Sequence, residues 1–335
     1  MHFTDSQTAA GPIHDLINGA QHPLILTHLN PDGDAIGSLL AVWHMLHNCG
    51  KRALAIALPP IPVYCSWLPG ADQIIQYHTD MPLPNDIDLV ILVDTATLNR
   101  AGLVYDEHRS LFEHLPLLII DHHITNNGAG TLDLIQPQAA STCELLYALF
   151  IAMDVQVTPA IATCLLMGLM TDTQSFQTNS TTSAALHTAA DLVDAGADQH
   201  GIVHTVYNAL PAKSASLLGM GLTTLCFEQR VAWATVTQAM LIETGTNDEA
   251  AEEVIRILQQ IGEARAVALF KERHDKTTKI SFRSQPPIDV AQFAQYWGGG
   301  GHSQAAGATL LCSPQSAIAE VIPKLQQLVH DDSSQ

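Results

Sequence analysis

Charge and aromatic side chains are both scarce in this chain: Asp, Glu, Lys and Arg make up 14% of 335 residues, and Phe, Trp and Tyr 5%. With a hydrophobic share of 47%, that balance excludes an intrinsically disordered protein and suits a compact α/β protein with well-buried sheets. Loose structure is expected only at the ends, over residues 1–11 and 331–335. Basic residues are scarcest, 14 Lys and Arg against 33 Asp and Glu, for a formal net charge of −19. So acidic a chain repels long duplex nucleic acid, whose binding rests on dense cationic neutralisation of phosphates. A short phosphorylated ligand is still admissible at a local cationic site such as a bound metal ion. Plain solubility accounts for the overall charge equally well.

Long apolar runs are also missing. None approaches the ~20 residues that span a bilayer, so no membrane partner is expected. No basic stretch followed by an apolar core opens the chain, so no secretory signal is expected either. The six cysteines (Cys49, Cys65, Cys143, Cys164, Cys226, Cys312) contain no C-x-x-C pair. That argues against a zinc knuckle or a disulfide framework and for reduced thiols in a cytoplasmic protein.

What is present is alternation. Buried strands are expected over 23–27, 52–58, 89–93, 117–120 and 131–135, and helices over 35–47, 141–153 and 159–171. Strands separated by helices or long crossovers imply a largely parallel sheet covered on both faces. Residues 1–190 form this first domain. A helix is expected over 187–195, residues 196–216 mix glycine, proline and polar side chains, and the stretch 191–216 is expected to link the first domain to a smaller α/β domain over 217–330. There, strands are expected at 231–237, 265–272 and 279–283, and helices at 250–261 and 289–297.

Chemistry concentrates where the first domain's strands end. His28, Asp32 and Asp34 fall in a tight Pro-Asp-Gly-Asp turn between a strand and a helix, at the carboxyl edge where open parallel sheets bind ligands. The same turn could be structural, with Asp34 capping the helix. Asp94 directly follows the apolar run 89–93, where a carboxylate is costly unless paired or metal-bound. Asp121-His122-His123 follows the next apolar strand, and two adjacent imidazoles suit one metal ligand and one substrate-facing donor. Asp172 ends an apolar helix. Aspartates gathered without cations repel one another, and two divalent ions would bring the cluster near neutrality. Carboxylate with some imidazole favours Mn²⁺ or Mg²⁺, and a pair ~3.5–4 Å apart can clamp a phosphoryl group during in-line displacement.

The second domain carries Trp297-Gly-Gly-Gly-Gly-His-Ser-Gln-Ala-Ala-Gly307. Bare backbone N–H groups at Gly299, Gly300 and Gly301 can approach an anion closely, and His302 can add a side-chain contact. Arg283 could supply a phosphate fork, or be an ordinary surface arginine. The thirteen histidines outside these motifs, His200 and His204 among them, lack a comparable setting.

Together these residues resemble the DHH phosphoesterase superfamily, named for the motif present here as Asp121-His122-His123. His28-Leu-Asn-Pro-Asp-Gly-Asp-Ala-Ile-Gly-Ser38 is similar to its opening signature, Asp94 and Asp172 match two further motifs, and Gly298–Ala308 resembles the glycine-rich motif of its associated C-terminal domain. The likeness covers nearly the whole chain and departs where Ser180 stands in place of an expected asparagine. It implies a parallel-sheet domain with a smaller C-terminal domain and an active site in the cleft between them. It also implies one ion held by His28, Asp32 and Asp94 and another by Asp34, Asp94, His122 and Asp172. Asp94 would bridge the ions, His123 would face the scissile phosphate, and Arg283 and His302 would hold substrate phosphates. Within the superfamily the chain looks like the oligoribonuclease and pAp phosphatase group, acting on short RNA, pAp or pApA, and a homodimer is implied with it. The competing readings are a cyclic-di-AMP phosphodiesterase, a manganese-dependent pyrophosphatase, a RecJ-type exonuclease and a non-catalytic nucleotide-binding protein. A pyrophosphatase should lack the glycine-rich motif, and a RecJ-type enzyme should carry extra domains and more basic surface.

Overall fold

The computed structural model of the protein describes residues 1–332, with the side chains of His302 and Asp332 outside the described residues. The chain forms two compact units, Met1–Ala209 and Leu210–Gln335.

All strand pairs of the first unit's sheet are parallel. Its members are β1 (His2–Phe3), β2 (Pro23–Leu26), β3 (Leu54–Ala57), β4 (Ile75–Gln76), β5 (Leu89–Val93), β6 (Leu117–Asp121) and β7 (Leu132–Ile135). Their spatial order is β1-β7-β6-β5-β2-β3-β4, so the winding reverses between β2 and β5. A parallel sheet is covered on both faces, which is why β5 is apolar and buried at every position. Ile91 and Val93 pack beneath α1 (Ser6–Gly19) and α2 (Gly33–Asn48), while Val90 and Leu92 pack against Val104 of α3 (Leu103–Glu107) and Phe112 of α4 (Arg109–His114). Two further helices, α5 (Thr142–Ala152) and α6 (Pro159–Asp172), complete the first layer.

The amino terminus differs from expectation. His2–Phe3 pairs with β7, and α1 starts at an Asp5 cap and buries Ala9, Ala10, Ile13 and Ile17. An apolar stripe at helical spacing anchors a segment whose short flanks look loose when read alone. The expected helix over 187–195 is α7 (Ser183–Asp194), but the linker beyond it carries helical structure as well: α8 (Gln199–Tyr207) lies within it, and α9 (Ala212–Leu222) starts in it. Ile202 of α8 is fully buried in the first unit's core, which fixes this polar stretch in place.

The second unit is a mixed sheet in the order β12-β13-β11-β10-β9-β8. Its strands are β8 (Cys226–Glu228), β9 (Val231–Val236), β10 (Ala266–Glu272), β11 (Thr278–Ser284), β12 (Gly300–His302) and β13 (Ala305–Leu310). On one face α9, α10 (Gln238–Thr244) and α11 (Glu252–Leu258) cover Val267 and Leu269; on the other α12 (Val290–Ala294) and α13 (Pro314–Asp332) cover Ala268 and Phe282. The glycine run includes an edge strand as well as a turn. A Cβ at Gly299 would lie 2.9 Å from Ala308 Cα, and Gly301 has φ of +147°, so close pairing with β13 requires glycine there. Among the described residues no helix is long and apolar enough to cross a membrane.

Helices α2 and α6 touch through glycines. A Cβ on Gly37 would strike the Cys164 carbonyl oxygen and sit 3.2 Å from the Gly168 nitrogen. Gly37→Ala should therefore lower stability by about 1–3 kcal/mol, because overpacking outweighs alanine's helix advantage of ~1 kcal/mol. Thermal unfolding checks this, and an unchanged or higher midpoint would mean that the two helices do not depend on the close approach.

Candidate metal centre

The reversal between β2 and β5 opens a crevice at the carboxyl edge of the sheet, the position where such folds bind ligands. Chain leaving β2 delivers His28, then enters α2 through Asp32, whose Oδ1 accepts from the backbone N–H groups of Asp34 and Ala35. The helix cap is thus Asp32, and Asp34 sits inside the first turn. Both oxygens of Asp34 are taken by the amino end of α5, with Thr142 N–H at 2.7 Å and Cys143 N–H at 3.0 Å. Bare backbone at Gly168 makes room for this, since a Cβ there would lie 2.5 Å from Asp34 Oδ1.

Asp94 follows β5 in a left-handed conformation, φ +51°. An aspartate tolerates that region better than most residues, and the turn directs a buried carboxylate into the cluster. Its Oδ1 accepts from the Thr142 hydroxyl at 2.8 Å. Around it stand His28 Nε2 at 3.5 Å, His122 Nε2 at 3.7 Å and His123 Nδ1 at 3.7 Å. Asp172 ends α6, where the helix dipole disfavours a carboxylate, with Oδ2 3.5 Å from His122 Nε2.

Hydrogen bonds orient two of the imidazoles for metal binding. His28 Nδ1 lies 2.9 Å from the Leu29 carbonyl and His122 Nδ1 3.2 Å from that of Ala139. A carbonyl only accepts, so each Nδ1 carries the proton and each Nε2 turns toward the carboxylates. The Arg100 guanidinium also stands 3.2 Å from His28 Nδ1, adding positive charge at the rim. His123 is arranged differently. Its Nδ1 is 2.8 Å from Asp121, which is fully buried and also accepts from the His122 N–H and from Asn126 Nδ2.

Asn126 is absent from the candidate residues picked out by sequence, and Asp121 stands among them only as the head of the Asp121-His122-His123 motif, with no role of its own. Asn126 donates to Asp121 Oδ2 at 2.7 Å and to the Thr95 carbonyl at 3.1 Å, tying the turn after β5 to the turn after β6. No periodicity marks it. The available signal was a polar residue two positions before Gly128, whose N–H its own Oδ1 accepts.

Three sets of donor atoms lie within 4.8 Å of one another: His28, Asp32 and Asp94; Asp94, His122 and His123; Asp34, His122 and Asp172. The charge balance matches a cation site. Burial, then Asp94 and Asp172, drive the Asp34 carboxyl far above its usual range. Burial and Asp94 push Asp172 up to about 6 against the opposing pull of His122. Burial acts on Asp94 in the same sense, but the three histidines outweigh it and keep it anionic. Oxygen donors with imidazole Nε2 atoms suit a hard divalent ion.

Arg283 and the glycine run belong to the second unit. Arg283 is half-buried on β11, donates from Nη1 to the Phe282 carbonyl at 2.9 Å, and has Nη2 3.9 Å from Glu252. Gly300 and Gly301 lie in β12 and Gly299 just before it; the backbone of His302 closes that strand.

Comparison with known proteins follows the same division. The profile of the DHH family, N-terminal domain, matches residues 23–169, and that of the DHHA1 domain matches 229–331. The bifunctional oligoribonuclease and PAP phosphatase NrnA of Thermus thermophilus is 31% identical over 300 residues, covering 89% of this chain and 87% of its own. The cyclic-di-AMP phosphodiesterase PdeA of Listeria monocytogenes is 27% identical over 89% of this chain, which spans 46% of that protein. Among solved structures, an exopolyphosphatase-related protein from Bacteroides fragilis superposes with a TM-score of 0.84 at 23% identity, covering 97% of this chain and 98% of its own.

Asp172 gives the cluster a pH signature. With its carboxyl raised from 3.8 to about 6, the folded chain binds that proton more tightly than the unfolded chain does. The benefit is present below about 4 and is lost as pH rises through 6, where the fold must hold the anion. Metal-free Asp172→Asn protein should therefore melt several degrees above metal-free wild type at pH 8, the gap closing between pH 6 and 4. Thermal scans in chelator across that range test this, and a gap independent of pH would place the Asp172 charge outside the balance.

Proposed function

The chain belongs to the DHH family, and from that premise we propose a two-metal phosphoesterase that hydrolyses short oligoribonucleotides and small nucleotide phosphates such as pAp and pApA. The convergence of His28, Asp32, Asp34, Asp94, His122 and Asp172 on the crevice between β2 and β5 supports it most directly. His28, Asp32 and Asp94 would hold one ion, and Asp34, Asp94, His122 and Asp172 the other, with Mn²⁺ the expected metal. Bound there, the ions would neutralise the carboxylates, polarise a phosphoryl group and lower the pKa of water.

The protein's own groups supply the rest. Asp94 would be shared by both ions: it belongs to two of the three donor groups, with His28 and Asp32 and with His122 and His123, and its histidines keep it anionic. His123 has its Nδ1 proton held by Asp121, which raises its pKa against the effect of burial. That favours the doubly protonated ring, in which Nε2 can donate to a phosphoryl oxygen or to the departing oxygen. Arg283, Gly299, Gly300, Gly301 and His302 would contribute substrate contacts from the second unit. The substrate class follows the name of the Thermus relative and the charge of −19, which leaves no reserve of cations to track a long strand. Six free thiols are consistent with a reducing, cytoplasmic setting.

Purified protein with Mn²⁺ should cleave RNA of about two to five nucleotides best, act on pAp, and cleave pApA faster than cyclic-di-AMP, a length limit estimated from the lack of a basic track. Comparing kcat/KM for these with a 24-mer and pyrophosphate decides between readings. Preference for the 24-mer would remove the length argument, and preference for pyrophosphate would make the protein a pyrophosphatase. Asp94→Ala should lower kcat by on the order of a thousandfold while the protein stays folded, because one change removes a donor from both sets. Near-normal turnover would make Asp94 structural.

A further inference from the structure

A hollow of about 460 Å³ opens on the first unit beyond the carboxyl ends of β2, β3 and β4, next to the crevice that holds the metal-type donors. We propose that this hollow seats the nucleobase of the nucleotide whose phosphoester is cleaved, an inference that rests on the phosphoesterase reading above.

Position comes first. The near wall is Leu29 and Asn30, which follow His28 directly. At ~3.8 Å between successive Cα atoms the wall lies within ~8 Å of His28 along the chain, the scale of a single nucleotide. Arg100 connects the two places: its guanidinium stands beside His28, and its carbonyl accepts the Leu29 N–H at 2.7 Å.

The hollow is built, not a gap between mobile loops. Gly102, with φ of +58°, lets the turn after Arg100 pass close to Leu58; a Cβ there would lie 2.5 Å from Leu58 Cδ1 and 3.6 Å from Leu29 Cβ. Tyr77 forms a fixed floor, almost fully buried, with its hydroxyl 2.7 Å from Glu107 and 2.6 Å from His108 Nε2.

Chemistry then selects the occupant. Leu29, Leu58, Pro59 and Leu103 give apolar walls, and Asn30 and Thr79 place an amide and a hydroxyl at the edge. Flat apolar faces with a hydrogen-bonding rim describe a heterocyclic base. Pyrophosphate or a polyphosphate would gain nothing from leucine walls, because burying apolar surface rewards only an apolar ligand. The hollow therefore favours nucleotides over inorganic phosphates at the same metals.

The test fills the hollow from its rim, where Leu103 is 41% exposed and Thr79 is exposed, so that bulk can be added without disturbing the core. Calorimetry on the full-length Mn²⁺-loaded protein would compare AMP with ribose 5-phosphate, which lacks the base. Wild type should bind AMP at least ~10-fold more tightly, a gap of about 1.4 kcal/mol. Leu103→Trp and Thr79→Trp should close most of that gap while leaving ribose 5-phosphate binding and the melting midpoint unchanged. Equal binding of the two ligands by wild type would overturn the proposal, as would an undiminished gap in both variants or parallel loss of both ligands. If wild type cleaves pApA and both variants do so equally well, the functional reading stands without this pocket. Failure of wild type to cleave any nucleotide would remove the functional reading itself.

Discussion

Like charges crowd one edge of the seven-stranded sheet, and much of the first unit is arranged around tolerating them. Asp34 and Asp94 are buried, and Asp172 is mostly so. Two unit charges ~4 Å apart cost about 4 kcal/mol at the effective dielectric of a protein surface, a sizeable share of the ~5–15 kcal/mol that holds a domain folded. Each carboxylate has its own compensation. Asp34 lies on the amino end of α5, Asp94 takes the Thr142 hydroxyl and stands among three imidazoles, and Asp172 is driven toward its protonated form. Divalent ions would complete the compensation, so metal loading and fold stability are expected to be coupled.

Much of this was legible from sequence because the signals are local. Unbroken apolar runs mark strands buried on both faces, and the run at 89–93 is β5 residue for residue. Polar residues directly after such runs mark the carboxyl edge, which is how His28, Asp94 and His122 stood out. The remainder depends on distant partners. Asp34 meets α5 across 108 positions of chain, and Asn126 bridges to Thr95 across 31, so neither contact leaves a periodic trace. Residues 199–207 look like linker because their composition is polar, yet one buried isoleucine anchors them as a helix. The glycine run reads as a bare loop because no side-chain alternation marks an edge strand built from glycine.

Backbone strain gathers at the same edge. Asn30 and Asp94 both hold positive φ, and three consecutive residues after the end of α6, Gln174, Ser175 and Phe176, do so as well. None is glycine, so each carries a conformational cost that sequence alone gives no reason to expect. Their hydrogen bonds are accounted for: the Ser175 N–H reaches the Met170 carbonyl, and the Phe176 N–H reaches the Thr173 hydroxyl. The chain is held in these conformations by the packing and bonding that also fix Asp94 and Asp172.

All the metal-type donors, and every wall of the hollow beside them, lie within residues 28–172 of the first unit. The second unit is a separate contiguous stretch of chain, divided from the first between Ala209 and Leu210. On the proposed reading, the reaction chemistry and part of the ligand's identity would therefore lie in one block, and the remaining contacts in another. Recombination at that boundary could exchange the second block while keeping the first intact. Lineages built on this unit can thus diversify in what they recognise without having to reinvent how they cut.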